Sequence, residues 1–485
     1  MATKRVAIIG AGVGGLGTAL ALKDSGIEAV LVERDPAPPD IRAEDAFEEW
    51  ARPGVPQFRH AHILLARLQT TLRDRHPELL RELLDAGLTL STVEEILPPT
   101  HYTGIVPQPD DGDMLHLWGR RATFEYVIRR YVGRLPNVHF IHDAKVTDLL
   151  TEAGPGTLHV RGIEYTHGEH RETLEADVTI DASGKNSKMP ELLRKKGARI
   201  DVDNNPSGFV YSCRHYRLKD PQAAPPRMNG GGNFDYLGYA TFYAEHGHYA
   251  LTFGCPTDET ELVDAIKRPE GFEALCSQLP VLRQWTSESE ATTKVLGAGR
   301  FENRWLLYRS RGGLELLDYF AVGDSHIETN PMYGRGCASA FVQAHALGDI
   351  LRETEDKSRR SRSYYERSRT LLQPYFALSV ATDRMYHTRA KLRRGIPIKP
   401  AERLVNYLYE SAWLPATYTS PLMAREFLKS VQMREPSGLS TRLLVLWHLM
   451  RAWFTGFIKR RTSPTQTPPR SEFLRTLAAS TRAQE

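Results

Sequence analysis

Gly10, Gly12 and Gly15 stand at G-x-G-x-x-G spacing, with Gly14 between them. Glycines at these positions let the main chain do what side chains forbid. Gly10 can turn sharply, Gly12 can leave the backbone open to a pyrophosphate, and Gly15 can let a helix pack closely on the preceding strand. The helix start then offers backbone N–H groups and a positive dipole to phosphates. The flanking pattern supplies that strand and that helix: residues 6–9 are apolar and β-branched, and Leu16, Leu20 and Leu22 recur at helical intervals up to Gly26. A second apolar run, 29–32, ends in Glu33 and Arg34. A carboxylate about twenty residues past the glycines is placed to accept hydroxyls of an adenosine ribose. Residues 5–34 are therefore predicted to be strand, turn, helix and strand around a dinucleotide, which the motif alone does not name.

A second segment far along the chain makes a choice. Residues 319–322 are apolar, Gly323 and Asp324 end the run, and Pro331, Gly334 and Gly336 precede a helical pattern beginning near Cys337. The segment resembles the GD-x6-P motif of the flavoprotein monooxygenases that share the para-hydroxybenzoate hydroxylase fold. The resemblance implies FAD as cofactor, with Asp324 on the ribityl chain and Pro331 near the isoalloxazine ring. It also implies that backbone amides at Gly334 to Gly336 meet the flavin's pyrimidine edge, where a helix start stabilises negative charge on reduced flavin.

Further residues follow from the same resemblance. It places Arg121, with Arg120 as the alternative, on the flavin pyrophosphate, and the backbone of Val146 on adenine. It places Arg59 and His60, from the R-H-A-H run at 59–62, beside the flavin; the other reading is two histidines satisfied by backbone groups at a helix start. No third or fourth ligand accompanies them, so no metal is expected. The stretch Asp181-Ala182-Ser183-Gly184 resembles a third fingerprint, with Asp181 and Gly184 at the cofactor and Ser187 matching its serine. It departs where Ser183 replaces an aspartate and only Lys188 stands near the usual arginine, which leaves direct reduction by NAD(P)H open beside supply by a separate flavin reductase. Asp181 and Ser187 equally suit closing a strand and capping the next helix. The candidate catalytic residues are Pro331, Tyr333, Arg335 and His326. Arg335 and Cys337 stand where relatives often carry glutamine and methionine, so an extra cation beside the flavin is expected to tune its potential or hold an acidic substrate.

The motif forms most resemble bacterial natural-product hydroxylases and epoxidases. That implies an FAD-dependent monooxygenase using molecular oxygen on a hydrophobic aromatic or polyene substrate, through a flavin C4a-hydroperoxide. Three alternatives share the fold: a dehydrogenase or reductase of a lipid or isoprenoid, a non-redox cyclase with FAD as scaffold, and a flavin-dependent halogenase. The W-x-W-x-I-P signature of tryptophan halogenases is absent.

The fold must bring both segments together within 485 residues, more than one core. The expected class is α/β: a Rossmann-like FAD-binding domain from residues 1–205 and 310–352, an inserted, mainly antiparallel β substrate domain at 206–309, a helical extension at 353–461, and a linker and tail at 462–485. Residues 138–141 and 144–149 are expected to continue the Rossmann sheet. In the inserted domain Tyr211, Arg214, Tyr239, Phe253 and Arg309 are candidate substrate contacts. A net charge of +4 gives no reason to expect nucleic acid. The four cysteines form no C-x-x-C, so free thiols are expected. Only Ala2, Thr3 and Lys4 precede the first strand after Met1, which predicts no signal peptide and a cytoplasmic protein. The charged run at 355–369 is expected to form a solvated face. At 441–461, His448, Arg451, Thr455 and Lys459 form a polar stripe on a helix rich in leucine and tryptophan. It is too polar for a membrane span and suits either packing on the body or peripheral contact with a membrane surface.

Overall fold

The structure, a computed structural model, describes residues 4–97, 105–225, 227, 231–308, 312–435, 438–458 and 468–482. The chain first lays down β1 (Arg5–Ile9), α1 (Val13–Ala21), β2 (Glu28–Val32), α2 (Arg121–Gly133), β3 (Val138–Ile141) and β4 (Val178–Asp181). It crosses to a second sheet through β5 (Phe209–Leu218), β6 (Gly238–Tyr243) and β7 (His248–Pro256), then returns with β8 (Tyr319–Ala321) and α3 (Arg335–Glu353). A helical region follows: α4 (Lys357–Arg393), α5 (Pro400–Leu408), α6 (Leu414–Thr419), α7 (Pro421–Val431) and α8 (Leu439–Ile458).

The first sheet is parallel, in the order β8-β4-β1-β2-β3, with Ala7 level with both Val30 and Thr179. Its strands are continuous apolar runs because both faces are covered, one by α1 and α3 and the other by an antiparallel ribbon through Leu158, Val160 and Ile163. Parallel strands leave the sheet at the same edge, so the loops after β1, β4 and β8 converge there. The return of β8 beside β4 is thus what joins two segments three hundred positions apart in sequence. Small residues draw their helices together. A Cβ on Gly348 of α3 would lie 2.9 Å from the carbonyl oxygen of Ala21, and one on Gly17 would lie 3.3 Å from Phe341.

The second sheet is antiparallel, with β6, β7 and β5 at its centre. One face packs against the helices Thr260–Lys267, Pro269–Gln278 and Pro280–Thr286, which the β-rich pattern did not signal. The opposite face is left for a site.

Several expectations need correction. The strand Ala144–Gly154 belongs to a separate antiparallel ribbon with Thr157–His167 and His170–Glu175, not to the parallel sheet, because a left-handed Asp143 (φ 52°) turns the chain after β3. Glu302–Leu307 leaves the inserted sheet and pairs with Asp201–Pro206 and Ile327–Glu328. The R-H-A-H run leads into two helices, Ala66–Arg75 and Pro77–Asp85, where Pro77 restarts the helix. The tail is no mere appendage, since Phe473 and Leu477 of its helix, Arg470–Arg482, are buried in the core of the second sheet. All four cysteines are buried and unpaired.

The charged run at 355–369 is not wholly solvated either. Asp318 is fully buried and accepts from Arg360 (2.6 Å) and pairs with Lys357 (3.2 Å) and His159 (2.8 Å), which fastens the start of α4 to the parallel sheet. Arg360→Met would remove the buried partner of a buried carboxylate, leaving it Lys357 and His159, and is expected to cost about 3 kcal/mol in a urea titration. Lys357→Met, at a half-exposed side chain, is expected to cost less than about 1 kcal/mol.

Candidate functional site

A cavity of about 470 Å³ runs from the glycine turn after β1 to the open face of the second sheet. Its first end is built from backbone. Gly10 has φ +92° and donates to the carbonyl of Val32 (2.8 Å), which turns the chain back over β2. A Cβ on Gly15 would lie 2.0 Å from the carbonyl oxygen of Gly10, so only glycine lets α1 start there. Nothing crowds Gly12, whose backbone faces the cavity. Gly14 abuts Val322 and Ala182, the loops after β8 and β4.

Carboxylates mark this half of the cavity. Glu33 lines it and accepts from the amides of Ala11 (2.7 Å) and Asp35 (3.0 Å) and from Arg52 (3.2 Å). A carboxylate offers about four lone-pair sites, so one remains for a ribose hydroxyl. Asp324 also lines the cavity, and no described residue donates a hydrogen bond to its side chain. Burial raises its pKa, against the pull of Arg121, Lys185 and Arg304. Such a group calls for hydroxyl donors. An adenosine ribose and a ribityl chain therefore fit the two carboxylates, and the open glycine turn fits the pyrophosphate between them.

The far end is different in kind. Tyr211 of β5, Gly238, Ala240 and Phe242 of β6, and Thr252 and Gly254 of β7 face the cavity, joined by Met332 and Tyr386. Tyr211 lies opposite Gly254, and Phe242 opposite Ala250, so cross-strand register puts small residues across from aromatic ones. No charged side chain lines this end among the described residues.

The structure brings most of the expected residues to this cavity. Gly10, Gly12, Gly14, Glu33, Arg34, Arg121, Val146, Gly184, Gly323, Asp324, Pro331, Gly334, Gly336, Tyr211 and Tyr239 line it, while Gly15 sits directly behind its wall. Arg120 instead forms a buried pair with Glu245 (2.7 Å), which leaves Arg121 at the cavity.

Others stand elsewhere. Arg59 donates to the carbonyls of Phe47 (2.7 Å) and Glu48 (3.1 Å). His60 packs edge-on against Tyr211, and burial drives its pKa down to about 4. The cavity takes His62 in its place, whose ring nitrogens meet the carbonyl of His60 (2.8 Å) and Arg121 (3.0 Å). Asp181 is fully buried and closes its turn by accepting from Ser183, Ser187 (2.6 Å) and Tyr319 (3.1 Å). His326 sits in the core between Gln343 (3.0 Å) and Trp305 (3.2 Å). Tyr333 donates to Asp383 of α4, and Arg335 to Ser379 and to the carbonyl of Tyr375 (3.3 Å). The extra cation is thus aimed at α4, and burial lowers its pKa to about 10. Arg214 pairs with Glu273 (2.6 Å), and Phe253 packs on Phe272 behind the sheet. Arg309 lies outside the described residues.

Sequence patterns also missed wall residues. Arg52 and Tyr386 come from segments without a motif and Lys185 from a fingerprint position that fixes no residue type, whereas Gly238 and Gly254 could have been found by asking which strand positions alternate with the aromatic ones.

Comparison of the sequence with family models and with curated proteins finds no match. Solved structures do match. The flavin-dependent brominase Bmp2 superposes with a TM-score of 0.60 at 15% identity, covering 94% of this chain and 99% of that one. p-Nitrophenol 4-monooxygenase PnpA from Pseudomonas putida DLL-E4 gives 0.59 at 16%, covering 89% and 100%. The chain has the fold of the FAD-dependent monooxygenases and halogenases. The myxobacterial chondrochloren halogenase CndH, an FAD-dependent halogenase, agrees, with 0.58 at 15% identity over 96% and 99%. At these identities the likeness concerns architecture, and the use of the cavity rests on its own residues.

Two outcomes are expected of this wall. Asp324→Asn, which keeps the shape and removes the acceptor charge, should weaken FAD about tenfold, or about 1.4 kcal/mol, in a fluorescence titration. Glu328, paired with Arg304 (3.1 Å), has its pKa pushed up from 4.5 to about 7 by burial and by Asp324. Between those values the folded chain keeps a proton that the unfolded chain has lost. Stability should therefore fall as pH rises from about 4.5 through about 7, and Glu328→Gln should flatten that part of a melting-temperature profile.

Proposed function

We propose that the protein is an FAD-dependent monooxygenase that hydroxylates or epoxidises a hydrophobic aromatic or polyene substrate. The observation that carries this is one cavity with two chemistries: a glycine turn and two carboxylates suited to a flavin dinucleotide at one end, and an uncharged aromatic chamber at the other. FAD, once reduced, supplies the activation of dioxygen, and the chain supplies binding, orientation and exclusion of water. The α1 start and the loop after β1 hold the pyrophosphate, Glu33 and Asp324 accept sugar hydroxyls, and the α3 start at Gly334 presents its amides to the flavin ring. Tyr211, Phe242 and Met332 keep water from the substrate. The hydroxyls of Tyr211 and Tyr386, which make no hydrogen bond to a described residue, orient its polar group.

On this reading residues 1–205 and 310–352 serve the flavin, 206–309 the substrate, and 353–461 brace both. Electrons come from NAD(P)H or from a separate flavin reductase. Lipid or isoprenoid reduction, cyclisation on an oxidised flavin and halogenation are the competing outcomes. The C-terminal helices are the place of peripheral membrane contact.

The test begins with FAD-loaded protein reduced without oxygen. It is mixed with isotopically labelled dioxygen and candidate arenes and polyenes, with and without bromide. One labelled oxygen atom in the product is expected; a hydrogenated, cyclised or brominated product would replace the proposal. Gly254→Val places a side chain against Met332, which a mere Cβ would already approach to 2.9 Å. It should cut turnover of the bulkiest substrate about tenfold, roughly 1.4 kcal/mol, while flavin content stays the same.

A further inference from the structure

The outer helices leave an apolar surface uncovered. α8 packs on Ala416 and Met423 through Val445, Leu449 and Ala452. At about 100° per residue, Leu443, Leu446, Trp447, Met450, Trp453 and Phe454 occupy a separate arc of roughly 120° that points away from those contacts. Their exposures run from 36% at Trp453 to 62% at Leu443. Arg451, Thr455 and His448 complete the circle as a polar strip interrupted by Leu444 (49% exposed). Trp453 donates its indole N–H to the Tyr407 hydroxyl (3.3 Å), which brings α5 alongside. There Leu404, Val405 and Leu408 are 58%, 60% and 49% exposed. Contiguous apolar surface of this kind marks a contact with something.

Charge identifies the contact. Between Glu435 and Glu472 the sequence contains no other acidic residue, yet it holds Arg442, Arg451, Lys459, Arg460 and Arg461. Exposed Lys391 and Lys399 precede α5 and exposed Arg403 lies on it, beside Glu402, while Glu410 past its end pairs with Arg389 (3.5 Å). A two-fold dimer through this face would set one cationic rim against its copy. An anionic bilayer satisfies both features, because acyl chains take the apolar arc, headgroups take the cations, and tryptophans suit the boundary. Among the described residues no helix is long and apolar enough to cross a membrane, which leaves contact with its surface.

The same surface adjoins the aromatic end of the cavity. Arg389 of α4 lies over the ring of Tyr409, the residue after α5 (4.9 Å), and Tyr386 stands one turn earlier on α4. Tyr386 lines the cavity.

We propose that α5 and α8 seat the protein on an anionic lipid surface, and that an uncharged lipophilic substrate enters the aromatic end of the cavity from that side. The seating stands on the surface alone; the substrate route rests on the oxygenase reading above.

Flotation of the FAD-loaded full chain with vesicles separates the two. Vesicles of equal parts phosphatidylglycerol and phosphatidylcholine should carry the protein, and vesicles of phosphatidylcholine alone should carry at least about tenfold less, a difference of roughly 1.4 kcal/mol. The combined variant W447E/M450E/F454E should lose the interaction with flavin content and melting temperature unchanged, and Arg451→Glu should weaken only the preference for anionic lipid. Equal flotation of the combined variant and the parent would overturn the seating. So would a dimer, seen by light scattering and abolished by the same variant, in protein that ignores vesicles. Vesicle binding without labelled-oxygen uptake would leave the seating intact and remove the oxygenase reading with the substrate route. For the route itself, a bilayer-dissolved polyene should be turned over faster by the parent than by W447E/M450E/F454E, while the same polyene in detergent is turned over equally. Equal rates in both would overturn it.

Discussion

Glu125 is fully buried in α2, and a carboxylate there holds its charge only between cations. It has two, Arg52 and Arg121 (3.2 Å). Arg52 also takes Glu33 and Asp35, and Glu33 in turn caps the amide of Ala11 in the glycine turn. Arg121 passes the network to His62. One buried carboxylate therefore fixes the end of β2, the loop at residue 52, the start of α2 and the R-H-A-H segment at once. Loss of either arginine would leave buried carboxylate charge short of a cation, which costs more than the pair contributes when whole.

The opposite wall hangs on α4. Asp383 accepts from Asn303 (2.6 Å), Asn330 (2.8 Å) and Tyr333, and Arg335 reaches the same helix at Ser379. Gly334, at φ +66°, reverses the chain between them. Alternate residues consequently part company: Pro331, Met332, Gly334 and Gly336 meet the cavity, whereas Tyr333 and Arg335 anchor the turn from behind. The helical region is a brace for the site rather than an addition to it.

Local chemistry was legible in the sequence and direction was not. Gly10, Gly15 and Asp324 could be assigned because strain at a turn, or an acid after a strand, constrains the residue type itself. Arg335 could not, since helix-start spacing is the same whether the side chain points inward or outward. Phe253 failed for the same reason in a strand: a shift of one residue moves a side chain to the other face, and aromatic character does not report which face is core. His60 and His62 differ only in which ring Arg121 can reach. The strand after β3 was misplaced because Ala144–Gly154 has the same β-branched texture in a ribbon as in a parallel sheet. Arg52 shows the remaining gap, as its partners come from three elements that only the fold assembles.

The floor of the aromatic chamber is made of Gly238, Ala240, Thr252 and Gly254, on strands whose other face is tightly packed. Walls of this sort divide labour within a protein's history. Enlarging any one of these side chains reshapes the chamber without disturbing the charge network or the glycine turn. Under the proposed function, a lineage could therefore exchange one substrate for another by single steps at four positions, keeping the flavin end of the cavity untouched, and diversity would be expected to collect on this floor.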